Sequence, residues 1–572
     1  MSRRIWESTQ ESHLTAKHPG PGAACAIVPI IDRGGPNCVL TGGDSGDLQR
    51  LRHNGTSPSR ERVSLVDSGE SKIFKIRRET SIQDPMAIAE KLHVRRIAII
   101  GAGPSGLAAA KYLLAEKKFS KVHIFEQRAT PGGVWNYTPL ARENGFSVPR
   151  TNPSNRPDQA LWPKDGGDVD FMSPIYDLLE TNIPHSLMNY TDKEFPQGSS
   201  LFPRHSAVLQ YLKEYAEELT PLISYQTQVL NVEKPGSDRS QPWQVELLDL
   251  KANKATKDEF DAVVVASGHY NDPFIPDIPG LVEFDKAHPG AVSHSKFYRR
   301  PNDYKDKKVI VVGNSASGID VSVQLSAVAK HPIFVSEKEK PTVTPSDKPS
   351  WAVNVPPIVE FIPSQRGVRF ANGQVETDID AIIFCTGFHY SYPFLKTLEP
   401  SIVVPDGGYA AHLWEQILYT ADPTLGFLSI PQRVVPFPIA EAQSAVFARI
   451  WSGRLSPPTT TVMEAWVDRE HKEKGEGKAV HLMHFPEDVD YINRLYEFSK
   501  TAFADPGLEN DGQGKTPPYW GLDKRWVRER VPKIKLASRE VGEKRHEIKT
   551  LEDLGFDYEE WKRTVHEGEK LF

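Results

Sequence analysis

Cysteine is scarce: Cys25, Cys38 and Cys385 are the only three in 572 residues. They form no C-x-x-C pair and match no metal-ligand spacing, which speaks against a disulfide framework, a structural metal and a dithiol redox centre. Few cysteines also fit a reducing intracellular compartment, and the expectation is a cytoplasmic protein. Long hydrophobic runs are missing too. No apolar stretch approaches the roughly 18 residues of a membrane helix; the run from Ala23 to Ile31 is short and interrupted by Pro29, and the end from Glu559 to Phe572 is charged. Nor is there an excess of basic charge. Lys and Arg total 69 against 75 Asp and Glu, a net charge of −6, so neither nucleic acid nor an anionic membrane is expected as partner. What remains, 39% hydrophobic and 25% charged residues, is the profile of a soluble globular chain long enough for two or more domains.

Residues 1–85 lack periodicity and are rich in Gly, Pro, Ser and Arg. They read as a disordered or loosely packed extension. The arginines hint at a transit peptide, which Glu7, Glu11 and Asp32 weaken; a folded chain beginning near Met86 is the plainer reading. From Arg95 the texture changes. Ile97–Ile100 is a short apolar run suited to a buried parallel strand, followed by a glycine turn, a helical stretch from Gly106 to Glu116, and a second strand, Val122–Phe125.

The turn itself, Gly101-Ala102-Gly103-Pro104-Ser105-Gly106, matches G-x-G-x-x-G. Gly101 permits the tight turn, Gly103 lets the backbone approach a pyrophosphate, and Gly106 lets the helix pack on the strand. Free N–H groups and the helix dipole favour the phosphates there. Glu126 follows the second strand twenty residues past Gly106, where an acid meets ribose hydroxyls and disfavours a 2′-phosphate, as in FAD or NAD. Strand, turn, helix, strand and acid are all in register, which a lone glycine motif is not. Gly132-Gly133-Val134-Trp135 comes soon after. It is either a loop around a buried tryptophan or a loop against the flavin, with Gly133 giving clearance and Trp135 packing nearby.

The pattern returns at Lys308: strand Val309–Val312, the turn Gly313-Asn-Ser315-Ala-Ser317-Gly318, a helix to Ala329, and strand Ile333–Val335. Ser315 replaces the middle glycine. Ser317 and Asp320, on the following helix, join the dinucleotide-binding candidates. Past the last strand Lys338 and Lys340 would hold a 2′-phosphate, whereas Glu337 and Glu339 would oppose it; a solvated charged turn is the third reading. Two more apolar strands run into glycines, Val263 to Gly268 and Ala381 to Gly387.

With both turns in place, the residues between and around them resemble the flavin-containing monooxygenase family, particularly its fungal members. Gly290, His294 and Tyr298 match its F-x-G-x-x-x-H-x-x-x-Y/F fingerprint, with His288 at the phenylalanine position. Thr181-Asn182-Ile-Pro184 with Met188 is similar to its T-N-x-P segment. Asp380–Gly387 is similar to its second strand-to-glycine linker, and Pro436-Phe-Pro with Glu441 and Gln443 to the segment closing its FAD site. The likeness runs from about Arg95 to the C-terminus.

The resemblance implies an α/β fold with two Rossmann-type dinucleotide-binding domains, the NADP domain inserted into a discontinuous FAD domain. The expected spans are 92–275 for the first FAD part, 276–384 for NADP, and 385–572 for the second FAD part with a C-terminal wrap. It implies FAD and NADPH as cofactors, a small-molecule substrate with O2, and no nucleic acid or membrane partner; a homodimer stays open. The implied chemistry is oxygenation of a soft nitrogen or sulfur nucleophile through a flavin C4a-hydroperoxide, which must be kept from water. Asn182 is the expected catalytic side chain, because a neutral amide both donates and accepts hydrogen bonds; a turn asparagine is the bland alternative. Thr181 and Gln443 are expected at the flavin. His294 and Tyr298 either shape the domain junction or are simply packed in a linker. Cys385 is expected in the core. Rival readings are a ketone-oxidising Baeyer–Villiger enzyme, disfavoured in its main class by Tyr298-Arg299, an NADPH oxidase releasing peroxide, and a flavin-holding redox sensor, against which the second turn counts.

Overall fold

The computed structural model describes residues 92–139, 147–163, 166–236, 241–338 and 350–569, together with a few short strands nearer the N-terminus. The chain divides into two units, Met1–Met86 and Ala87–Phe572. In the first, Arg62–Asp67 pairs antiparallel with Lys72–Arg77, and Pro29–Ile30 with Asn37–Cys38. The rest of the expected extension lies outside the described residues.

The second unit carries two large sheets, one mainly and one wholly parallel. Ile97, Ala98 and Ile99 are wholly buried, because helices or other strands cover both faces of a doubly wound sheet and leave no polar side to alternate with. Their strand, Arg96–Ile100, pairs in parallel with Lys121–Phe125 on one side and Ala262–Val265 on the other. Leu425–Phe427 extends the sheet in parallel beyond Ala262–Val265, and two short antiparallel strands finish that edge. An antiparallel meander, Thr227–Glu233, Trp243–Asp249 and Lys254–Phe260, precedes the Ala262–Val265 strand. The second sheet is wholly parallel, in the order Val292–His294, Ala381–Phe384, Lys308–Val312, Lys330–Ser336, Ala352–Val355. Its strands lie, in sequence, inside the first sheet's span, as an inserted domain requires.

The helix Pro104–Ala115 presents Ala108, Ala109 and Ala110, all fully buried. These small side chains let it lie close along Pro436–Trp451, a helix buried around nearly its whole circumference. Burying each large apolar side chain of that helix contributes roughly 1.5–3 kcal/mol. The segment after Thr460 supplies the helices Thr460–Lys474, Glu487–Lys500 and Leu522–Glu540. Met463, Ile492, Leu495, Trp526 and Ile534 from them share one core with Ile97, Leu107 and Phe447. Among the described residues no helix is long and apolar enough to cross a membrane.

The two domains are joined by two strands lying side by side, Asp272–Pro273 and Phe388–His389, paired antiparallel. The chain therefore crosses between domains twice at one place.

Candidate functional site

Gly101 closes the first strand with φ +104°, and a Cβ there would lie 2.8 Å from the Ala266 carbonyl oxygen. Gly106 is more tightly constrained: its Cβ would come within 1.9 Å of Gly101 O. Gly103 differs, since a Cβ would stand an ordinary 3.6 Å from Gly133 Cα. The protein does not itself demand glycine at 103; bare backbone there leaves an approach for a ligand, as the sequence suggests. Gly133, at φ +54°, faces Gly103 across this gap. The loop is held to the turn by Gly132 N–H donating to Ala102 O at 2.9 Å. Asn136, which the sequence reading passes over, accepts from Thr130 and donates to Pro131 O and Gly133 O. A thin concavity of backbone thus sits at a helix N-terminus with no acid in its first turn, which fits a pyrophosphate.

Glu126 is buried beside the turn. Its carboxylate accepts Ala102 N–H and Arg128 N–H, both at 2.8 Å. Burial pushes its pKa up, against the pull of these donors. About four acceptor positions on a carboxylate leave room for ribose hydroxyls. Pro104 occupies the first helical turn, and its carbonyl accepts from the Tyr190 hydroxyl at 2.8 Å. Ser105 Oγ lies 2.8 Å from Ser429 Oγ. Val134 O accepts from Ser173 Oγ. Trp135, half-buried, meets Phe437 edge-on at 6.4 Å between ring centroids.

Asn182 is exposed on a braced segment. Thr181 N–H donates to Pro203 O at 3.0 Å, Thr181 Oγ1 to Ile183 O at 2.8 Å, and Lys535 Nζ donates to Thr181 O at 2.7 Å. The short helix His185–Met188 then leads to Tyr190, whose hydroxyl reaches the first turn. The asparagine thus stands on backbone tied both to the first glycine turn and to the C-terminal helix Leu522–Glu540.

The second turn repeats the first. Gly313 has φ +105° and a Cβ there would lie 2.6 Å from Cys385 O; at Gly318 it would lie 1.9 Å from Gly313 O. Ser315 is exposed at the N-cap of the helix Ala316–Leu325, and Ser317 is half-buried in its first turn. Glu337 accepts from Asn314 Nδ2 at 2.9 Å and from Asn354 Nδ2 at 2.5 Å. Glu339 and Lys340 lie outside the described residues. Burial pushes the Cys385 thiol up to about 12, so it is no thiolate nucleophile.

Three of the cofactor candidates also make contacts within the protein. Thr181 is buried, and its hydroxyl holds its own turn. Gln443 is wholly covered by protein: its Oε1 accepts from Ser429 N–H at 2.8 Å and its Nε2 donates to Tyr491 OH at 3.0 Å. It sets the loop that meets Ser105, and so reaches the site through Ser429. Asp320 accepts from Tyr176 OH at 2.5 Å and from Gln324 Nε2 at 3.0 Å. Residue type and spacing do not tell which way such side chains turn.

The fingerprint lies at the crossing between domains. His294 Nδ1 accepts Lys296 N–H at 3.1 Å and its Nε2 faces Gly387 O at 3.0 Å. Neutral imidazole with the proton on Nε2 satisfies both, and burial lowers its pKa to about 3. Tyr298 is buried against Tyr176 and donates to Gln324 Oε1 at 3.2 Å. Two cations of this linker, Lys296 and Arg299, are what sequence reasoning missed. Lys296 Nζ donates to Asn271 O at 2.6 Å and to Asn271 Oδ1 at 2.7 Å; burial lowers its pKa to about 8. Arg299 donates to the carbonyls of Thr138, Ile175 and Ser173 at 3.1, 2.7 and 2.8 Å.

Comparison with known proteins agrees with this geometry. The family model described as flavin-binding monooxygenase-like matches residues 158–347 and 350–510. One described as an NAD(P)-binding Rossmann-like domain matches residues 99–152, around the first turn. Flavin-containing monooxygenase ustF2 of Aspergillus flavus is 28% identical over 459 residues, 72% of this chain and 92% of that protein. The thiol-specific monooxygenase of Saccharomyces cerevisiae is 34% identical, over 64% of this chain and 79% of its own. The structure of S-allyl-L-cysteine S-oxygenase from Allium sativum is similar with a TM-score of 0.65 at 26% identity, covering 84% of this chain and 100% of its own. The chain belongs to the flavin-binding monooxygenase-like family, with FAD and NADPH as its cofactors and a small molecule and O2 as its reactants.

Proposed function

We propose that this chain transfers one oxygen atom from O2 to a soft sulfur or nitrogen atom of a small molecule. The observation that carries the reading is Asn182, an exposed neutral amide on a segment anchored to the first glycine turn. Bound flavin supplies the redox chemistry, taking two electrons from NADPH and activating O2, so that one oxygen atom enters the substrate and the other leaves as water. The chain's part is geometry. Asn182 can donate to or accept from an oxygen brought to it without moving a proton. Thr181 and Lys535 fix the backbone that carries it. His294, neutral at working pH, pins the linker and takes no proton-transfer role. Similarity to the yeast thiol-specific monooxygenase and the garlic S-allyl-L-cysteine S-oxygenase favours sulfur over nitrogen.

The test is product analysis with NADPH, O2 and, in turn, a thioether, a tertiary amine and a cyclic ketone, with peroxide measured per NADPH consumed. Sulfoxide or N-oxide should form, with peroxide falling as nucleophile is added. The Asn182→Leu variant should lose product by roughly 10²-fold, the scale of a single stabilising polar group, while still oxidising NADPH. Lactone as the sole product would replace this reading with ketone oxidation. Peroxide equal to NADPH with all three substrates would replace it with an oxidase.

A further inference from the structure

Each glycine turn here is followed by a helix and a second strand, and the first residue past that strand faces back to the turn. After the first turn this is Glu126, directly after Lys121–Phe125, with its carboxylate on Ala102 N–H at 2.8 Å. After the second it is Glu337, directly after Lys330–Ser336, with its carboxylate on Asn314 Nδ2 at 2.9 Å. Ala102 and Asn314 occupy the same place, next to Gly101 and Gly313. Glu126 lies 20 residues past Gly106 and Glu337 lies 19 past Gly318. The two carboxylates hold equivalent stations, and in dinucleotide folds that station meets the adenosine ribose.

The surroundings of Glu337 keep it suited to a diol. Asn314 and Asn354 are neutral donors and use one acceptor position on each carboxylate oxygen, so others remain for two ribose hydroxyls. Among the described residues no cation pairs with it. The carboxylate's negative charge would repel a phosphate brought beside it. A counterweight exists: Lys338 is exposed at the next position and stands within electrostatic reach of Lys478. That pair offers positive charge to a phosphate turned away from Glu337.

We propose that Glu337 is the ribose ligand of the second dinucleotide site and that the chain binds the unphosphorylated dinucleotide, NADH, at least as tightly as NADPH. This rests on the second turn and not on which nucleophile is oxygenated, so it stands or falls separately from the reading above.

The test is calorimetric titration of the FAD-loaded protein with ADP-ribose and with 2′-phospho-ADP-ribose, which requires no turnover. The native protein should bind ADP-ribose at least as tightly as its phosphorylated analogue. Glu337→Gln keeps an oxygen for one asparagine and removes the charge; it should weaken ADP-ribose and strengthen 2′-phospho-ADP-ribose, shifting their ratio by ~10-fold or more. Glu337→Ser, with an unchanged melting temperature as the check on folding, should shift the ratio the same way, and the relative kcat/KM for NADH and NADPH should follow. Native protein binding the phosphorylated ligand more tightly than ADP-ribose would overturn the proposal. So would variants that leave the ratio unmoved.

Discussion

At the scale of single residues, the first turn separates two reasons for being glycine. Gly106 is required by the protein's own packing, because a Cβ there would collide with Gly101 O at 1.9 Å. Gly103 has ordinary clearance and is bare toward the ligand. Gly106→Ala should therefore destabilise the fold itself, by about 1–3 kcal/mol or more. Gly103→Ala should leave the melting temperature of flavin-stripped protein unchanged yet weaken FAD retention, read by flavin fluorescence after gel filtration. Equal melting temperatures for the two stripped variants would contradict this distinction. Glu441 offers a pH test. It is wholly buried, accepting from Thr191 N–H at 3.0 Å and Thr191 Oγ1 at 2.7 Å, and burial raises its pKa from 4.5 to about 7. The folded state then binds this proton more tightly than the unfolded state. Its stabilising contribution is full below about pH 4.5 and is lost as pH rises through about 7. Glu441→Gln should flatten denaturant-measured stability across that window, relative to native protein; an unchanged slope would show that Glu441 does not titrate there.

At the scale of elements, the linkers decide how the two domains relate. Arg299 is a buried cation held by backbone carbonyls of residues 138, 173 and 175, all outside the inserted sheet. Methionine in its place would leave those carbonyls without their donor, at about 1–3 kcal/mol each if they stay dry. Arg299→Met should lower the melting temperature and slow flavin reduction by NADPH in rapid mixing, since the nicotinamide domain loses its tether. A slowed reduction restored by Arg299→Lys would point to a single carbonyl as sufficient. Tyr176 donates to Asp320 on the helix Ala316–Leu325, so the junction is held at more than one point.

At the scale of the molecule, legibility follows from how local the cause is. The two strand–turn–helix units could be read because the turn's steric demands fall on residues within six positions of one another. The insertion of one domain in the other came with the family resemblance, and the order of the apolar strands agrees with it. The apolar strands were visible because parallel sheets are covered on both faces. The directions of Asp320 and Gln443 were not legible, because each is set by a partner far along the chain, Tyr176 for Asp320 and Tyr491 for Gln443; Thr181 turns instead to the carbonyl of nearby Ile183. Lys296 and Arg299 were missed for the same reason, since their acceptors, the Asn271 carbonyl and side-chain oxygens for Lys296 and backbone carbonyls for Arg299, lie far along the chain.

The long reach of the Pro436–Trp451 helix has a consequence for biogenesis. The first glycine turn leaves the ribosome early, but the helix on which Pro104–Ala115 packs is made hundreds of residues later. The same holds for Arg454, paired with buried Glu116 across 338 positions. Until then a nascent chain carries an alanine-rich apolar face with no cover, a state suited to chaperone capture. Flavin loading should accordingly be a late event in synthesis. Chains arrested before Pro436 should fail to retain FAD in a filter-binding assay, whereas arrest past the C-terminal helices, with a spacer to clear the ribosome, should allow it.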